Sequence, residues 1–427
     1  MDCTQTVSQP VTTGIPRVVR NIVKHGCSAA RNRGAELVPV QFRDGRFVPV
    51  VADGVSPLVA PVPERPFARR LRKILMPRRL VRKVGALSAR LRPTLAAADA
   101  IRFAAGDTLL LPDSSWGEEM WTAVDKARAA GASLGVVQHD FIPIRHPQIV
   151  PPETTAVFRR WMHATLSRAD FILAVSETVA WETRAELLKL GRADVAKQHV
   201  TTFRNGADFA APSPQPAHQR GFVRRALREF LATGTEAPYL SVGTVEPRKN
   251  QSLLLDALDQ VLAQAPSARL LIAGMVGWQG QPIAAAFRRH PAWGTGIIHF
   301  DDLSDAELQY AYGRARALVF PSRAEGYGLP LVEAMACGLR VFASDIPAHR
   351  EVGGDHCVYF DPGRPDGLVS ALVALSRHGT YEACWPPQRC RLPTWADAAE
   401  RIVATALAHS RPAAAGPQSD RRLRIAG

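Results

Sequence analysis

Short apolar runs alternate with longer stretches of helical period along this chain. In the first half, buried-strand patterns occupy residues 38–42, 108–111, 134–138, 171–175 and 200–203. Apolar positions spaced three and four apart predict helices over 15–24, 116–130, 153–167 and 177–190. Residues 207–219 hold Pro212, Pro214 and Pro216 and read as a structureless linker, with a basic helical stretch over 220–231 beyond it. The alternation then restarts. Strands are predicted at 239–243, 270–273, 297–300, 317–320, 341–343 and 358–360, and helices at 251–264, 305–314, 330–336 and 366–376. A last helix, 395–408, follows Pro393-Thr394, and the Pro-, Arg- and Ala-rich tail from Ser410 predicts disorder. Strands alternating with helices imply parallel sheets. The predicted fold class is α/β, with two doubly wound Rossmann-like domains facing a cleft. Their expected spans are 1–210 and 237–394, joined by a linker at 211–236 and followed by the helix at 395–409 and the tail at 410–427. A cleft between two such domains is the default place for a ligand.

Two segments in the second half carry candidate chemistry. In the first, a buried strand ends at Phe320, and a loop with Glu325, Gly326, Tyr327, Gly328 and Leu329 leads into a helix opened by Pro330. Proline suits a first helical turn because its missing N–H would have no partner there. Gly326 and Gly328 allow close backbone approach, and the free amides of such a helix start attract phosphate. Glu325 in the loop and Glu333 one turn into the helix can face one cleft, and a carboxylate can accept from vicinal hydroxyls. In the second segment, a strand ends at Gly243, and Thr244-Val245-Glu246-Pro247-Arg248-Lys249 precedes a helix near Asn250. Two cations beside a helix start form a cradle for a diphosphate. A capped helix with surface glutamates, and an ordinary loop with solvated charges, are the plainer readings of the two segments.

Composition adds three constraints. The chain has 427 residues, 46% of them hydrophobic, far from the profile of a disordered protein. No run of 18 apolar residues suggests a membrane span, and the first residues show no secretory signal pattern. The six cysteines are scattered and form neither a disulfide framework nor a zinc-finger pattern, which fits free thiols in a reducing cytoplasm. The net charge is +14, and lysine supplies only seven of the 53 basic residues. Residues 65–92 hold eleven basic and no acidic residues, among them Arg69, Arg70, Arg72, Lys73, Arg78 and Arg79, interleaved with apolar ones. That pattern fits an amphipathic basic helix on an anionic membrane surface. A solvated face fits it as well; nucleic acid would satisfy the charge, but no nucleic-acid motif accompanies it.

These segments resemble the donor-binding half of family-4 retaining glycosyltransferases of the GT-B fold. Glu325 and Glu333 stand at the spacing of that family's E-x7-E motif. Residues 344–352 share in this likeness, and weaker ones in the first half support it: 13–18 before the first helix, His139-Asp140-Phe141-Ile142-Pro143, 174–177 and 205–208. The resemblance covers residues 2–408 in order. It implies a donor diphosphate held by Arg248 and Lys249, ribose bound by Glu333, and the transferred sugar touched by Glu325. It further implies backbone amides from Gly328 and Leu329, admission of the diphosphate at Gly14, and His139 beside the anomeric centre. The family transfers a sugar with retention, usually without a metal; no cofactor is expected here, and Asp301-Asp302 is adjacent rather than spaced as a metal pair.

The chain departs from the family at Thr244, where arginine is common, and at Arg340, where proline is usual. Asp301 and Asp302 stand where a small residue often lines the base pocket; a carboxylate there suits guanine and hence a GDP-sugar such as GDP-mannose. Asp113 and Asp140 are candidate acceptor contacts, although an N-cap role for Asp113 and a loop-orienting role for Asp140 are the plainer readings. Few residues precede the first loop, so the first strand is nearly missing, and Cys3 is expected as a buried strand thiol. The expected partners are a nucleotide-diphosphate sugar, a glycan or polyprenyl-linked acceptor and an anionic membrane surface, at the inner face of the cytoplasmic membrane, in cell-envelope polysaccharide or lipopolysaccharide synthesis. A nucleotide-sugar epimerase on the same architecture and a non-catalytic sugar-nucleotide-binding protein remain alternatives.

Overall fold

A computed structural model of the chain describes residues 1–8, 14–50, 100–208, 223–378 and 392–411. The basic stretch 65–92 with Arg69, Arg70, Arg72, Lys73, Arg78 and Arg79, most of the Pro-rich linker, and the tail beyond Arg411 lie outside the described residues. Among the described residues, no helix is long and apolar enough to cross a membrane.

The N-terminal lobe is built on a hairpin of β1 (Val40–Arg43) and β2 (Arg46–Pro49) and a parallel sheet. The sheet runs β3 (Thr108–Leu111), β4 (Ser133–Gln138), β5 (Phe171–Ala174), β6 (Val200–Thr202) in spatial order. Every residue of β4 and β5 is buried, as expected of strands covered on both faces. Gly135 in β4 leaves room for Phe171, whose ring would lie 2.2 Å from an added Cβ. The first residues form no strand of their own: Asp2 makes a single bridge to Val40 of the hairpin, and its N–H donates to the Leu110 carbonyl of β3 at 2.8 Å. Cys3 is fully buried there, and burial pushes its thiol pKa up.

The C-terminal lobe carries six parallel strands: β7 (Tyr239–Val242), β8 (Leu270–Ala273), β9 (Ile297–Phe300), β10 (Ala317–Phe320), β11 (Arg340–Ser344) and β12 (Cys357–Phe360). Their spatial order is β12-β11-β10-β7-β8-β9. The chain winds one way from β7 through β8 to β9 and the other way from β10 through β11 to β12. Neighbouring strands that diverge like this leave a crevice beyond their C-terminal ends. Here the crevice lies after Val242 and Phe320, where the two candidate segments begin.

The helix predicted at 15–24 continues to Asn32, as Ile15–Asn32. Its lower half is held by the last helix, Trp395–Ala408: Ala29, Ala30 and Val403 share a small core, and Arg33 pairs with Glu400. The last helix is thus packed on the N-terminal lobe. Its start is set by a capping box in which Thr394 and Asp397 exchange hydrogen bonds of 3.0 and 3.1 Å. The helix expected from Trp116 starts only at Trp121, because Trp116 is drawn into an aromatic cluster with Phe158 and Trp161. The helix Gly280–Arg289 goes unpredicted; its first residue has no Cβ, which would lie 1.9 Å from the Val245 carbonyl oxygen.

The lobes touch through apolar packing of Ile142 and Ile149 against Ala324 and through polar contacts. The Glu351 carboxylate accepts from the backbone N–H groups of Glu177 and Thr178 and from the Thr178 hydroxyl at 2.5–2.8 Å. It caps, from the other lobe, the helix Glu177–Lys189 whose own N-cap is Ser176. Losing a cap costs about 1 kcal/mol. Glu351→Ala is therefore expected to lower the melting temperature by roughly 2–4 °C, read by thermal unfolding; an unchanged midpoint would contradict the capping role.

Candidate functional site

Glu325, Arg248 and Lys249 meet in the crevice beyond β7 and β10. Lys249 Nζ lies 2.5 Å from Glu325 Oε1, and Arg248 Nη1 lies 3.1 Å from Oε2. Arg248 is held from behind by Glu246 at 2.9 Å and by the Ala324 carbonyl at 3.1 Å. The Lys249 ammonium also stands 4.9 Å from the centre of the Phe320 ring. The Glu325 side chain is 10% exposed. Burial alone would push its carboxyl up, but the ammonium of Lys249 and the guanidinium of Arg248 outweigh that and hold it at about 2. Thr244 lies beside the cluster, its carbonyl accepting from Gln251 at 2.9 Å.

Glu333 faces the opposite lobe. Arg17 Nη1 reaches its Oε1 at 3.0 Å, and the Tyr312 hydroxyl donates to Oε2 at 2.9 Å. Burial pushes the Glu333 carboxyl up, with Arg17 and Tyr312 acting against it. The two glutamates of the motif thus have separate partners: Glu325 pairs within its own lobe, whereas Glu333 is shared between Tyr312 of its own lobe and Arg17 across the cleft. Arg17 lies one turn beyond Gly14, which opens its helix at φ 66° with no side-chain cap and open space around it.

Gly326 approaches the N-terminal lobe more closely than any side chain would allow. A Cβ there would sit 1.9 Å from the His139 carbonyl oxygen, and its own carbonyl accepts from Ser176 Oγ at 2.8 Å. Tyr327, expected at the donor, instead donates its hydroxyl to the Asn205 carbonyl at 3.0 Å, so its side chain serves the contact between lobes. Gly328 takes φ 98° and opens the uncapped helix Leu329–Ala336.

His139, at the end of β4, places Nε2 2.7 Å from the Pro112 carbonyl. A carbonyl only accepts, so Nε2 carries the hydrogen; burial lowers the pKa of the ring, and its neutral form leaves Nδ1 as the acceptor. Asp140 accepts from the Ile142 N–H at 3.0 Å and feels Arg248 across the cleft, while burial raises its pKa.

Asp113 does not cap the helix that follows it. Its oxygens accept from the N–H groups of Thr6 and Ser114 at 2.7 and 2.8 Å, capping the short helix Thr4–Ser8 from a distance. Asp301 and Asp302 are exposed beyond β9, and Asp302 is paired with Arg224 at 2.6 Å. Sequence reasoning gave no role to Arg17, Tyr312 or His349. Arg17 and His349 fall in segments that the resemblance singled out and Tyr312 in a helix predicted by pattern, but no spacing rule joins residue 17 to residue 333.

Removing one member of a buried ion pair costs about 3–5 kcal/mol. Glu325→Gln is expected to lower stability by that order at neutral pH. The folded pKa of Glu325 lies below the unfolded value of about 4.3. Its stabilisation is therefore present above that value and lost as pH falls through it toward 2. Thermal scans from pH 7 to 3 should show the gap between wild type and variant narrowing below pH 4; a constant gap would refute the assignment.

Residues 223–381 match the family described as glycosyl transferases, group 1. Over 291 residues the chain is 31% identical to the serotype-specific mannosyltransferase WbdA of Escherichia coli, covering 67% of this chain and 35% of that protein. It is 38% identical over 257 residues to the O-antigen chain mannosyltransferase RfbU of Salmonella typhimurium, covering 58% of this chain and 64% of RfbU. The chain thus spans about a third of the length of the WbdA relatives. Among solved structures, Anabaena HepE in complex with UDP and glucose is similar with a TM-score of 0.53 and 16% identity, over 94% of this chain and 95% of that one. Sucrose-phosphate synthase from Thermosynechococcus elongatus gives 0.53 and 17%, over 91% and 88%. The chain has the GT-B fold, and its residues 223–381 form a group 1 glycosyl transferase domain.

Proposed function

We propose that this protein is a retaining, metal-independent glycosyltransferase that moves a hexose from a nucleotide-diphosphate sugar to a glycan or polyprenyl-linked glycan of the cell envelope. The observation that carries the reading is the convergence of Arg248, Lys249 and Glu325 at the C-terminal ends of two diverging strands. A nucleoside diphosphate is a leaving group that gathers negative charge on its β-phosphate oxygens. Two cations beside the uncapped start of Leu329–Ala336 are suited to stabilise that charge.

The acceptor hydroxyl attacks the anomeric carbon from the face the diphosphate leaves. The carbon–oxygen bond to phosphate breaks as the new glycosidic bond forms, and the hydroxyl proton passes to the departing phosphate. Glu325, held ionised at about 2 by two cations, is too weakly basic to favour the role of covalent nucleophile; it is suited to accept from sugar hydroxyls. Retaining hydrolases work differently, with two carboxyls about 5 Å apart.

The mannosyltransferase names of WbdA and RfbU favour a mannosyl donor, and the exposed Asp301 carboxylate favours guanine. GDP should therefore raise the melting temperature and UDP should not. The reverse result would overturn GDP-mannose as donor while leaving the transfer reaction standing. Turnover of GDP-mannose on a lipid-linked glycan acceptor, unaffected by EDTA, is the direct test; consumption of donor without acceptor would identify an epimerase instead. Arg248→Ala or Lys249→Ala is expected to lower kcat by about 10²–10³.

The basic stretch 65–92 supports a peripheral position on an anionic bilayer. Charge reversal at Arg69, Arg70, Arg72 and Lys73 should release the protein from phosphatidylglycerol vesicles, and unchanged binding would end that part of the reading.

A further inference from the structure

His349 belongs to the helix Pro347–Gly353 that follows β11, and it is fully buried. Its Nδ1 lies 3.0 Å from the Ser344 carbonyl. A carbonyl cannot donate, so Nδ1 carries the hydrogen and Nε2 presents a bare lone pair. That Nε2 is buried and has no hydrogen-bond partner. The ring is locked from behind by Phe320, with centroids 4.9 Å apart and planes at 33°. Gly328 covers the edge of the imidazole; a Cβ there would lie 3.5 Å from Cδ2 and 3.7 Å from Nε2. The Lys249 ammonium and the His349 ring each stand 4.9 Å from the centre of the Phe320 ring, so the imidazole shares the neighbourhood of the ion cluster. Burial holds the ring at about 4, which keeps it neutral at physiological pH.

A buried acceptor without a partner is unfavourable, and cores rarely tolerate one without a use. The unpaired atom stands where the donor loop and the ion cluster meet. Resting on the function proposed above, we infer that His349 is a specificity-determining residue whose Nε2 accepts a hydrogen bond from a hydroxyl of the transferred sugar. The diphosphate cannot fill this place, because its oxygens also only accept. A sugar hydroxyl is the donor that a nucleotide sugar brings to such a site. Sites built to pair a substrate hydroxyl reject analogues lacking it far more strongly than apolar pockets reject a lost methylene.

His349→Phe keeps an aromatic ring against Phe320 and removes the acceptor. Calorimetric titration of GDP and of GDP-mannose separates the sugar contact from the rest of the site. For the Phe variant, GDP affinity should stay within about twofold, while GDP-mannose affinity and kcat/KM fall about tenfold or more. His349→Gln, whose side-chain oxygen can accept, should recover most of the loss. Among monodeoxy donors, one should be discriminated against by wild type and not by the Phe variant. Equal sugar binding by wild type and the Phe variant would overturn the inference, as would equal losses for GDP and GDP-mannose, which would mark a structural role. If the Phe variant does not fold, His349→Leu carries the same comparison. Wild-type protein that binds neither GDP-mannose nor UDP-glucose would defeat the proposed function itself, and the inference with it.

Discussion

A carboxylate cannot stay ionised in a largely closed crevice unless cations surround it, and Glu325 has two. The cost of removing Lys249, Arg248 and Glu325 from water is offset by their mutual attraction and by the contacts of Arg248 with Glu246 and Ala324. Those charges meet only because β7 and β10 are neighbours whose chains diverge. The parallel sheet thus delivers residues far apart in sequence, 248 and 325, to one point. The apolar body of the lobe holds the strands in register beneath them, with every residue of β8 and β10 buried.

The contacts between the lobes follow a related logic. Beside the apolar packing of Ile142 and Ile149 against Ala324, the surfaces meet through backbone amides, carbonyls and a few charged side chains. Glu351 caps a helix of the opposite lobe, Ser176 bonds to the Gly326 carbonyl, and Arg17 reaches Glu333. Polar interfaces between domains generally permit relative motion. The Arg17–Glu333 pair ties the start of the first long helix to the second glutamate of the motif. Whatever binds Glu333 therefore acts on the relation between the lobes.

Gly326 shows how one residue type serves two needs. Its place in a loop before a helix suggests room for a ligand, yet its missing Cβ makes room for the His139 carbonyl. Gly328, two residues on, does need glycine for its backbone, at φ 98°, and it also covers the edge of His349. Two glycines in one short loop thus answer to different neighbours, one across the cleft and one beneath.

The strands other than β2, the parallel α/β class and the positions of Arg248, Lys249 and Glu325 at strand ends were legible in the chain; among the described residues only the C-terminal sheet winds both ways. Their signals are local: a four-residue apolar run, a glycine at its end, a proline in the next helical turn. The final helix was legible to its bounds because its capping box lies in adjacent residues. What remained hidden rests on contacts between distant residues. The extension of the first helix to Asn32 depends on the last helix, the cap from Asp113 reaches back to Thr6, and Tyr327 turns to Asn205. Sequence by itself determined which elements form and which charges stand at their ends, because local pattern suffices for both. Only the tertiary structure decided which charge answers which, since partners 76 residues apart for Lys249 and Glu325, or on opposite lobes for Arg17 and Glu333, are brought together by the packing of sheets and lobes alone.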